Sequence, residues 1–323
     1  MREAIKNKKV WVGLGILVIL SLPSYSGTYV VYLASLAGVY TIVSLGLNLL
    51  FGFTGLVSIS HAAFVGTGAY TTAILLTRLP VIPFPIVLIA SGFLAAVLGL
   101  IVGLPALRLS GHYLAIATLG FGYVMTEVFL HWERLTKGAL GITVPKVSIG
   151  PIHFASEASK YYLIIVLVFI MIVLTKNILG SKTGRAFIAI RDHEIAAQSM
   201  GINLAWYKTI SFVISAFYAG IAGSLYAVLL SYINGEGFQL GVSMLYLEMV
   251  IVGGMASILG SILGAIFLTV LPEILGTKYQ LYQLIVQGLV LVLTLIFMPW
   301  GLSGMFWRLH KWIKGKGSAT NGS

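Results

Sequence analysis

Long apolar runs follow one another along almost the whole chain, and they constrain its fold more than any other feature. Eight of them read as segments that cross a hydrocarbon core about 30 Å thick: 10–22, 29–51, 56–77, 84–104, 112–132, 161–179, 209–231 and 279–298. Only 9% of the 323 residues are charged, whereas soluble domains have about 25%. The sequence therefore predicts an all-α integral membrane protein.

A ninth apolar run, 242–271, is too long for one straight span and too short for two full spans. Five small or flexible residues, GGMAS at 253–257, interrupt it, so two shortened segments are the natural interpretation. The chain then has about ten spans, some broken or short, with both termini in the cytoplasm. This topology places fourteen of the 20 Lys and Arg residues inside and six outside, as the positive-inside rule requires.

A charged amphipathic stretch, 180–208, lies between two of the apolar runs. Ser181 and Thr183 offer N-cap oxygens to a first short helix, and Asp192 offers one to a second helix that Gly201 can close. Helices of about two turns are marginal alone in water, so they must pack against something. We expect a pair of docking helices on the cytoplasmic face; the alternative is a basic loop that only fixes topology or touches anionic lipid.

The remaining organisation is simple. Residues 1–314 are expected to form a single transmembrane domain, and the low-complexity tail 315–323 is expected to be disordered. The six histidines show no ligand spacing and the chain has no cysteine, so no catalytic residue, metal site or cofactor is predicted. The stretch GSKT at 180–183 fails the P-loop pattern, so the chain is not expected to hydrolyse nucleotide itself.

Four stretches form a combination that is more specific than any one of them. They are GLNLLFG, GLVSISHAAF and GTGAY within 46–70; YLAIATLGFG at 113–122 with LTKG at 135–138; GRAFIAIRDHEIAAQSMGIN at 184–203; and GGMASILG at 253–260. Together they resemble the LivM-type permeases, the membrane subunits of ATP-binding-cassette (ABC) importers for branched-chain amino acids. The resemblance implies import of leucine, isoleucine or valine across a prokaryotic cell (inner) membrane.

The resemblance also implies partners: cytoplasmic ABC ATPase subunits, a second homologous permease subunit of the LivH type, an extracytoplasmic substrate-binding protein and membrane lipid, but no nucleic acid. Ala196, Ala197 and Gly201 correspond to the EAA-xxx-G motif of ABC import permeases, although Ile195 stands where that motif has Glu. The residues expected to couple to the ATPase are Arg185, Arg191, Asp192, Glu194, Ala196, Ala197 and Gly201.

Polar side chains in the glycine-broken second and third spans are candidates for the translocation pathway. Such side chains usually face protein or water rather than lipid. The candidates are Asn48, Ser58, Ser60, His61, Thr67 and Tyr70. The alternative is interhelical hydrogen bonding, which contributes about 0.6 kcal/mol on average in membranes. We expect His61 to be the best candidate for lining a cavity.

Other functions remain open at this point. Permeases for urea or short amides share much of the pattern, so the substrate is less certain than the transport class. An ion-coupled secondary carrier would need charged groups near the midplane, and a membrane enzyme acting on lipid-linked substrates would need a cluster of acids or histidines. Neither of these two alternatives explains the docking helices.

Overall fold

The computed structural model describes residues 21–106, 112–149, 152–154, 156–276, 282–298 and 301–305. The α-helices are α1 (Thr28–Asn48), α2 (His61–Arg78), α3 (Phe84–Ala106), α4 (His112–His131), α5 (Glu133–Thr136), α6 (Glu157–Gly180), α7 (Lys182–Asp192), α8 (Glu194–Ser199), α9 (Leu204–Leu230), α10 (Leu240–Gly253), α11 (Ile258–Leu275) and α12 (Gln283–Phe297). Most of the first predicted span, 10–22, and all of the tail 315–323 lie outside the described residues.

Within the described residues, five helices are long and apolar enough to cross a membrane: Thr28–Phe53, Phe84–Leu104, Tyr113–His131, Glu157–Gly180 and Leu204–Leu230. Three apolar helices in the same part of the chain are shorter: Leu240–Gly253, Ile258–Ile274 and Ile285–Phe297. Apolar runs become helices because a helix bonds its own backbone groups where lipid offers no partner. The architecture is that of an all-α, multi-pass membrane protein.

Helix α9 lies at the centre of the bundle and packs through small residues. A side chain at Gly223 would lie 1.9 Å from the carbonyl oxygen of Val65 in α2, and one at Gly220 would lie 2.6 Å from that of Ser91 in α3. Gly68 in turn packs on the backbone of Gly220. Backbones approach this closely because helix association in lipid depends on van der Waals contact rather than on the hydrophobic effect.

The predicted break in the 242–271 run is confirmed. Helix α10 ends at Gly253 and α11 begins at Ile258, with Gly254 at φ +123° and Ser257 as the N-cap, its hydroxyl accepting from the Gly260 N–H. A side chain at Gly264 would meet the carbonyl oxygen of Met249 at 1.9 Å, so the two short helices form a close hairpin.

The predicted span 56–77 is wrong at its start, because helix α2 begins only at His61. The preceding chain leaves helical geometry at Gly55, whose φ is +79°, and continues without regular structure to Ser60. Left-handed φ is easy for glycine, so the chain can turn sharply there. Helix α2 therefore starts among buried residues rather than at a surface.

The segment 133–160, which is rich in glycine and proline, contains short regular elements. A 3₁₀ turn spans Gly138–Leu140, and two strand pairs are antiparallel: β1 (Ile142–Thr143) with β4 (Tyr232–Ile233), and β2 (Ser148–Ile149) with β3 (Ile152–His153). Strand β4 leads into a second 3₁₀ turn, Gly235–Phe238. These elements join the ends of the spanning helices on one side of the bundle.

Candidate functional site

The connection between α1 and α2 is the most irregular part of the helical bundle. Helix α1 passes into a π-helical turn, Leu49–Phe53, and the Thr54 hydroxyl donates to the Leu49 carbonyl over 2.8 Å. The backbone N–H of Leu56 then bonds the Leu50 carbonyl, which turns the chain back into the protein. We call residues 54–60 the interhelical segment.

His61 begins α2 and is completely buried. Its Nε2 lies 2.7 Å from the Ser215 hydroxyl of α9, and its ring packs edge-on against Phe64. Its Nδ1 is buried and has no hydrogen-bond partner among the residues that the structure describes. The backbone N–H of Ala62 donates to Ser243 of α10. His61 therefore lies where α2, α9 and α10 meet and does not line an open cavity in this conformation.

Ser58 and Ser60 lie in the interhelical segment, next to His61. Their hydroxyls are 3.1 Å apart, and both side chains are buried. The Ile59 N–H between them donates to the Thr118 hydroxyl of α4, and Gly122 of α4 packs close to Ser60. The structure thus brings three of the predicted pathway residues together at a junction that includes α4.

Asn48 belongs to a different hydrogen-bonded group. Its amide nitrogen donates to the Ser257 carbonyl over 3.0 Å and to the Ser261 hydroxyl over 2.8 Å, while its Oδ1 accepts from the Ala256 N–H over 2.9 Å. A side chain at Gly52 would collide with this amide, which leaves room only for glycine there. Asn48 therefore fastens α1 to the break between α10 and α11.

Thr67 and Tyr70 lie further along α2. The Thr67 hydroxyl donates to the Ala63 carbonyl one turn back, so it has a partner within its own helix. The Tyr70 ring stacks on Phe129 of α4, with centroids 4.9 Å apart, and also contacts Phe238. The Tyr70 hydroxyl is buried and meets no hydrogen-bond partner in the described part of the chain. These aromatic rings close the bundle between α2 and α4 in this conformation.

Helices α7 and α8, together with residues 193 and 200–203, form what we call the two-helix loop. The Ser181 hydroxyl caps α7 by accepting from the N–H groups of Thr183 and Gly184, so the Ser181 cap is confirmed and Thr183 lies within the helix. Phe187 and Ile190 are buried against the bundle. One side of α7 is therefore seated on the membrane-spanning helices.

Arginine side chains fasten α7 at both ends. Arg191 donates to the Gly52 carbonyl over 3.2 Å, and Gly55 packs on its side chain. Arg185 donates to the Gly180 carbonyl over 3.2 Å at the end of α6. The two-helix loop is therefore joined both to the helix that precedes it and to the α1–α2 connection.

Helix α8 ends as the sequence predicts. Gly201 adopts φ +82°, and the Ile202 N–H donates to the Ala197 carbonyl, a pattern that closes a helix with left-handed glycine. Ala197 is buried, and Glu194 forms an ion pair with the buried Lys208 of α9. Ile195 of α8 is 81% exposed, and Met200, which directly follows α8, is 84% exposed.

Two sequence predictions about this loop are wrong. Asp192 does not cap α8, because it is the last residue of α7 and its carboxylate accepts from the Arg191 guanidinium; His193 precedes α8 without a side-chain cap. The loop also ends earlier than position 208, because α9 starts at Leu204 with Asn203 as its N-cap. Lys208 therefore lies within α9.

The sequence did not indicate the hydroxyl groups that hold the junction around His61. They are Thr118, Ser215 and Ser243, each on a different helix. A polar residue inside an apolar run is the only signal that could have indicated them, and it does not say which residue each one meets.

Comparison with known proteins gives a consistent result. Residues 29–295 match the model of a family described as "Branched-chain amino acid transport system / permease component". LivM, the high-affinity branched-chain amino acid transport permease of Escherichia coli K12, is 33% identical over 94% of this chain and 76% of its own length. The LivM protein of Salmonella typhimurium is 32% identical over 84% of this chain and 69% of its own length.

A second type of permease is related more distantly. The Escherichia coli K12 LivH permease is 26% identical over 84% of this chain and 92% of its own length. No solved structure matches. Because the family model covers most of the sequence and the LivM identity exceeds 30%, the chain belongs to the branched-chain amino acid transport permease family.

Proposed function

We propose that this chain is the membrane permease subunit of an ABC importer that carries leucine, isoleucine or valine into the cytoplasm while partner subunits hydrolyse ATP. The observation that carries the proposal is the two-helix loop, which is joined to the bundle through Arg191 and leaves the side chains of Ile195 and Met200 exposed. The LivM and LivH relatives, which are named for branched-chain amino acid transport, support the substrate class.

Force applied to α8 would reach two spanning helices. The Glu194–Lys208 ion pair joins α8 to α9, and the Arg191 hydrogen bond to Gly52 joins α7 to the end of α1. A partner that moves the loop would therefore move α1 and α9 together. Within this proposal Arg191 and Glu194 act by binding other parts of the same chain, Gly52 and Lys208. The full set of proposed coupling residues is Arg185, Arg191, Asp192, Glu194, Ala196, Ala197 and Gly201.

The proposed assembly contains two cytoplasmic ATPase subunits, a second homologous permease subunit of the LivH type and an extracytoplasmic binding protein. The relatives include both LivM and LivH permeases, which supports a heterodimer. The binding protein is proposed because the polar groups of the junction are mostly satisfied by one another, which leaves little capacity for tight substrate binding there.

The junction around His61 is proposed as part of the passage in a second conformation. His61 and Ser215 face each other across α2 and α9, so separation of these helices would expose both. Ser58, Ser60, Thr67 and Tyr70 would line the same opening. Asn48 would keep the α1 end attached to the α10–α11 break during this movement.

We also propose a ten-span topology for a single domain, 1–314, in the inner membrane, with both termini and the two-helix loop in the cytoplasm. The distribution of basic residues along the sequence supports it.

Because the chain has no cysteine, single-cysteine labelling tests this topology directly. We expect Gln198→Cys to react with an impermeant thiol reagent only from the cytoplasmic side. Leu140 is 83% exposed, and we expect Leu140→Cys to react only from outside. Labelling of both from one side would contradict the topology.

Reconstituted vesicles test the transport function. We expect ATP-dependent accumulation of leucine when the vesicles contain both permease chains, the ATPase subunits and the binding protein, and none when ATP or the ATPase is omitted. A parallel assay with urea provides the comparison for substrate class. Uptake of urea without uptake of leucine would contradict the substrate, and leucine uptake driven by an ion gradient alone would contradict the ABC mechanism.

A further inference from the structure

The side chain of Asn48 joins two irregular backbone segments from distant parts of the chain. One is the π-helical turn Leu49–Phe53, which directly follows Asn48 at the end of α1. The other is the break between α10 and α11, residues 254–257, where Ala256 has a φ of +55°. Residues other than glycine rarely adopt a left-handed backbone, and π-helical turns often occur at functional sites. The place where these two segments meet is therefore a candidate for a moving part.

Asn48 holds the break through both polar atoms of its amide. Its Oδ1 accepts from the Ala256 N–H over 2.9 Å, and its Nδ2 donates to the Ser257 carbonyl over 3.0 Å. These two hydrogen bonds lie on either side of the peptide that links Ala256 to Ser257. Asn48 is only 1% exposed, so water does not compete for its amide. Asn48 therefore keeps the break in a backbone conformation that alanine does not favour.

Gly52 connects the Asn48 amide to the two-helix loop. The Gly52 carbonyl accepts from Arg191 of α7 over 3.2 Å. A side chain at Gly52 would collide with the Asn48 Oδ1 and with the Ala256 nitrogen, so the α-carbon of Gly52 packs on the hydrogen bond between these atoms. Gly55 packs on the Arg191 side chain as well. A displacement of α7 would therefore reach the break through a single residue.

Helix α10 extends from the break to the junction around His61. Ser243 of α10 accepts from the backbone N–H of Ala62, next to His61 at the start of α2. Ser243 precedes Gly253, the last residue of α10, by ten positions, which is about 15 Å along a helix. Rigid helices and hydrogen bonds of this kind can carry coupling between distant sites. A displacement of the break would therefore move Ser243 relative to α2.

We propose that Asn48 is a positioning residue for transport, which transmits the displacement of the two-helix loop to α10 and thereby to the junction around His61. The proposal rests on the proposed ABC import and adds α10 to the helices that the loop moves. Because Asn48 stays attached to the break, displacement of the α1 end carries Ala256 and Ser257 with it, and α10 moves relative to α11. An interhelical hydrogen bond without this role would contribute to stability alone.

The first measurement follows the break itself. Met255 is 49% exposed, so Met255→Cys can be labelled with a water-soluble thiol reagent in the complete complex in nanodiscs. We expect its labelling rate to change several-fold when vanadate traps nucleotide in the ATPase, and we expect Asn48→Leu to remove this change. Leu79→Cys, after the other end of α2, is the matched control, because Leu79 is 50% exposed and its labelling should not depend on Asn48.

This measurement also tests the proposal without a change at Asn48. If trapped nucleotide leaves the labelling rate of Met255→Cys the same on the otherwise unchanged chain, the loop does not move the break. That result would refute the proposal even if Asn48→Leu fails to fold.

The second measurement is the ratio of ATP hydrolysed to leucine imported by reconstituted vesicles. Asn48→Leu keeps the approximate size of the side chain but removes its hydrogen bonds, and we expect it to raise this ratio roughly tenfold with the ATPase still bound. Thr72→Val is the matched control, because Thr72 is also fully buried and its hydroxyl bonds Ser91 of α3 over 2.8 Å and Ser224 of α9 over 2.7 Å. We expect Thr72→Val to lower the apparent Tm and to leave the ratio unchanged.

Asn48→Leu combined with Ala256→Gly separates transmission from stability. Glycine adopts a positive φ without strain, so the double variant should regain stability lost in Asn48→Leu while its ratio of ATP to leucine stays high. A wild-type ratio in either the single or the double variant would refute the role of Asn48. Uptake by the wild-type complex is measured first, because its absence would instead refute the proposed import of leucine.

Discussion

Gly223→Ala is expected to destabilise the folded chain strongly, although it adds only one methyl group. The new carbon would lie 1.9 Å from the Val65 carbonyl oxygen, 2.8 Å from its carbon and 2.9 Å from the Ala69 nitrogen. All three are backbone atoms of α2, so relief requires α2 and α9 to move apart. Overpacking of this kind costs about 1–3 kcal/mol or more. We expect the apparent Tm in mild detergent to fall by on the order of 5 °C.

Gly288→Ala is the matched control for this experiment. Gly288 lies within α12, and no atom of the described residues lies within 4 Å of the added carbon. Alanine is favoured over glycine in a helix by about 1 kcal/mol, and no loss of stability is expected. Equal melting temperatures for the two variants would mean that α2 and α9 do not cross at Gly223.

Features that depend on local sequence can be predicted. Residues 253–257 indicate a break in the apolar run 242–271, and in the structure α10 ends at Gly253 and α11 begins at Ile258. The crossing of α2 and α9 at Gly68, Gly220 and Gly223 is not predictable in the same way. Its partners are about 150 residues apart, and helical periodicity does not say which helices meet.

In the candidate site, too, local features are predictable from the sequence and contacts between distant helices are not. The cap at Ser181 and the closing glycine at Gly201 are local signals, and both are confirmed. Asp192 is not a cap, because α7 continues through it and the adjacent Arg191 binds its carboxylate. Residue spacing alone does not show whether this carboxylate binds the arginine or the first N–H groups of α8. The partners of His61 and Asn48 come from distant helices, so polarity indicates that these residues face protein but not what they do there.

Ile195→Asp is expected to abolish uptake by releasing the ATPase while leaving the permease folded. Ile195 is 81% exposed, so the change should cost little in the isolated chain. In the proposed complex the same position would bury an unpaired carboxylate in an apolar contact. Loss of a central contact of this kind costs about 3 kcal/mol, which corresponds to a roughly 100-fold weaker affinity.

In the proposed complex the contact at Ile195 is apolar, which is consistent with isoleucine at the position where the EAA-xxx-G motif has glutamate. Glu194, the nearest acid, is engaged by Lys208 of α9 and serves to hold α8 rigidly against the bundle. In the proposed complex Ile195 and Met200 contact the partner, and the Glu194–Lys208 ion pair transmits its movement to α9. We therefore expect Met200→Asp to act like Ile195→Asp, whereas Lys208→Met should reduce uptake with the ATPase still bound.

Leu140→Asp is the control for Ile195→Asp, because Leu140 is 83% exposed and undergoes the same change in the segment proposed to lie outside the cell. The fraction of ATPase that co-purifies with the permease in mild detergent is the measurement, with size-exclusion elution of the permease as the test of folding. We expect the ATPase to be lost with Ile195→Asp and retained with Leu140→Asp, since only the first residue lies on the proposed contact. Retention of the ATPase by both Ile195→Asp and Met200→Asp would show that the partner does not bind at these two residues.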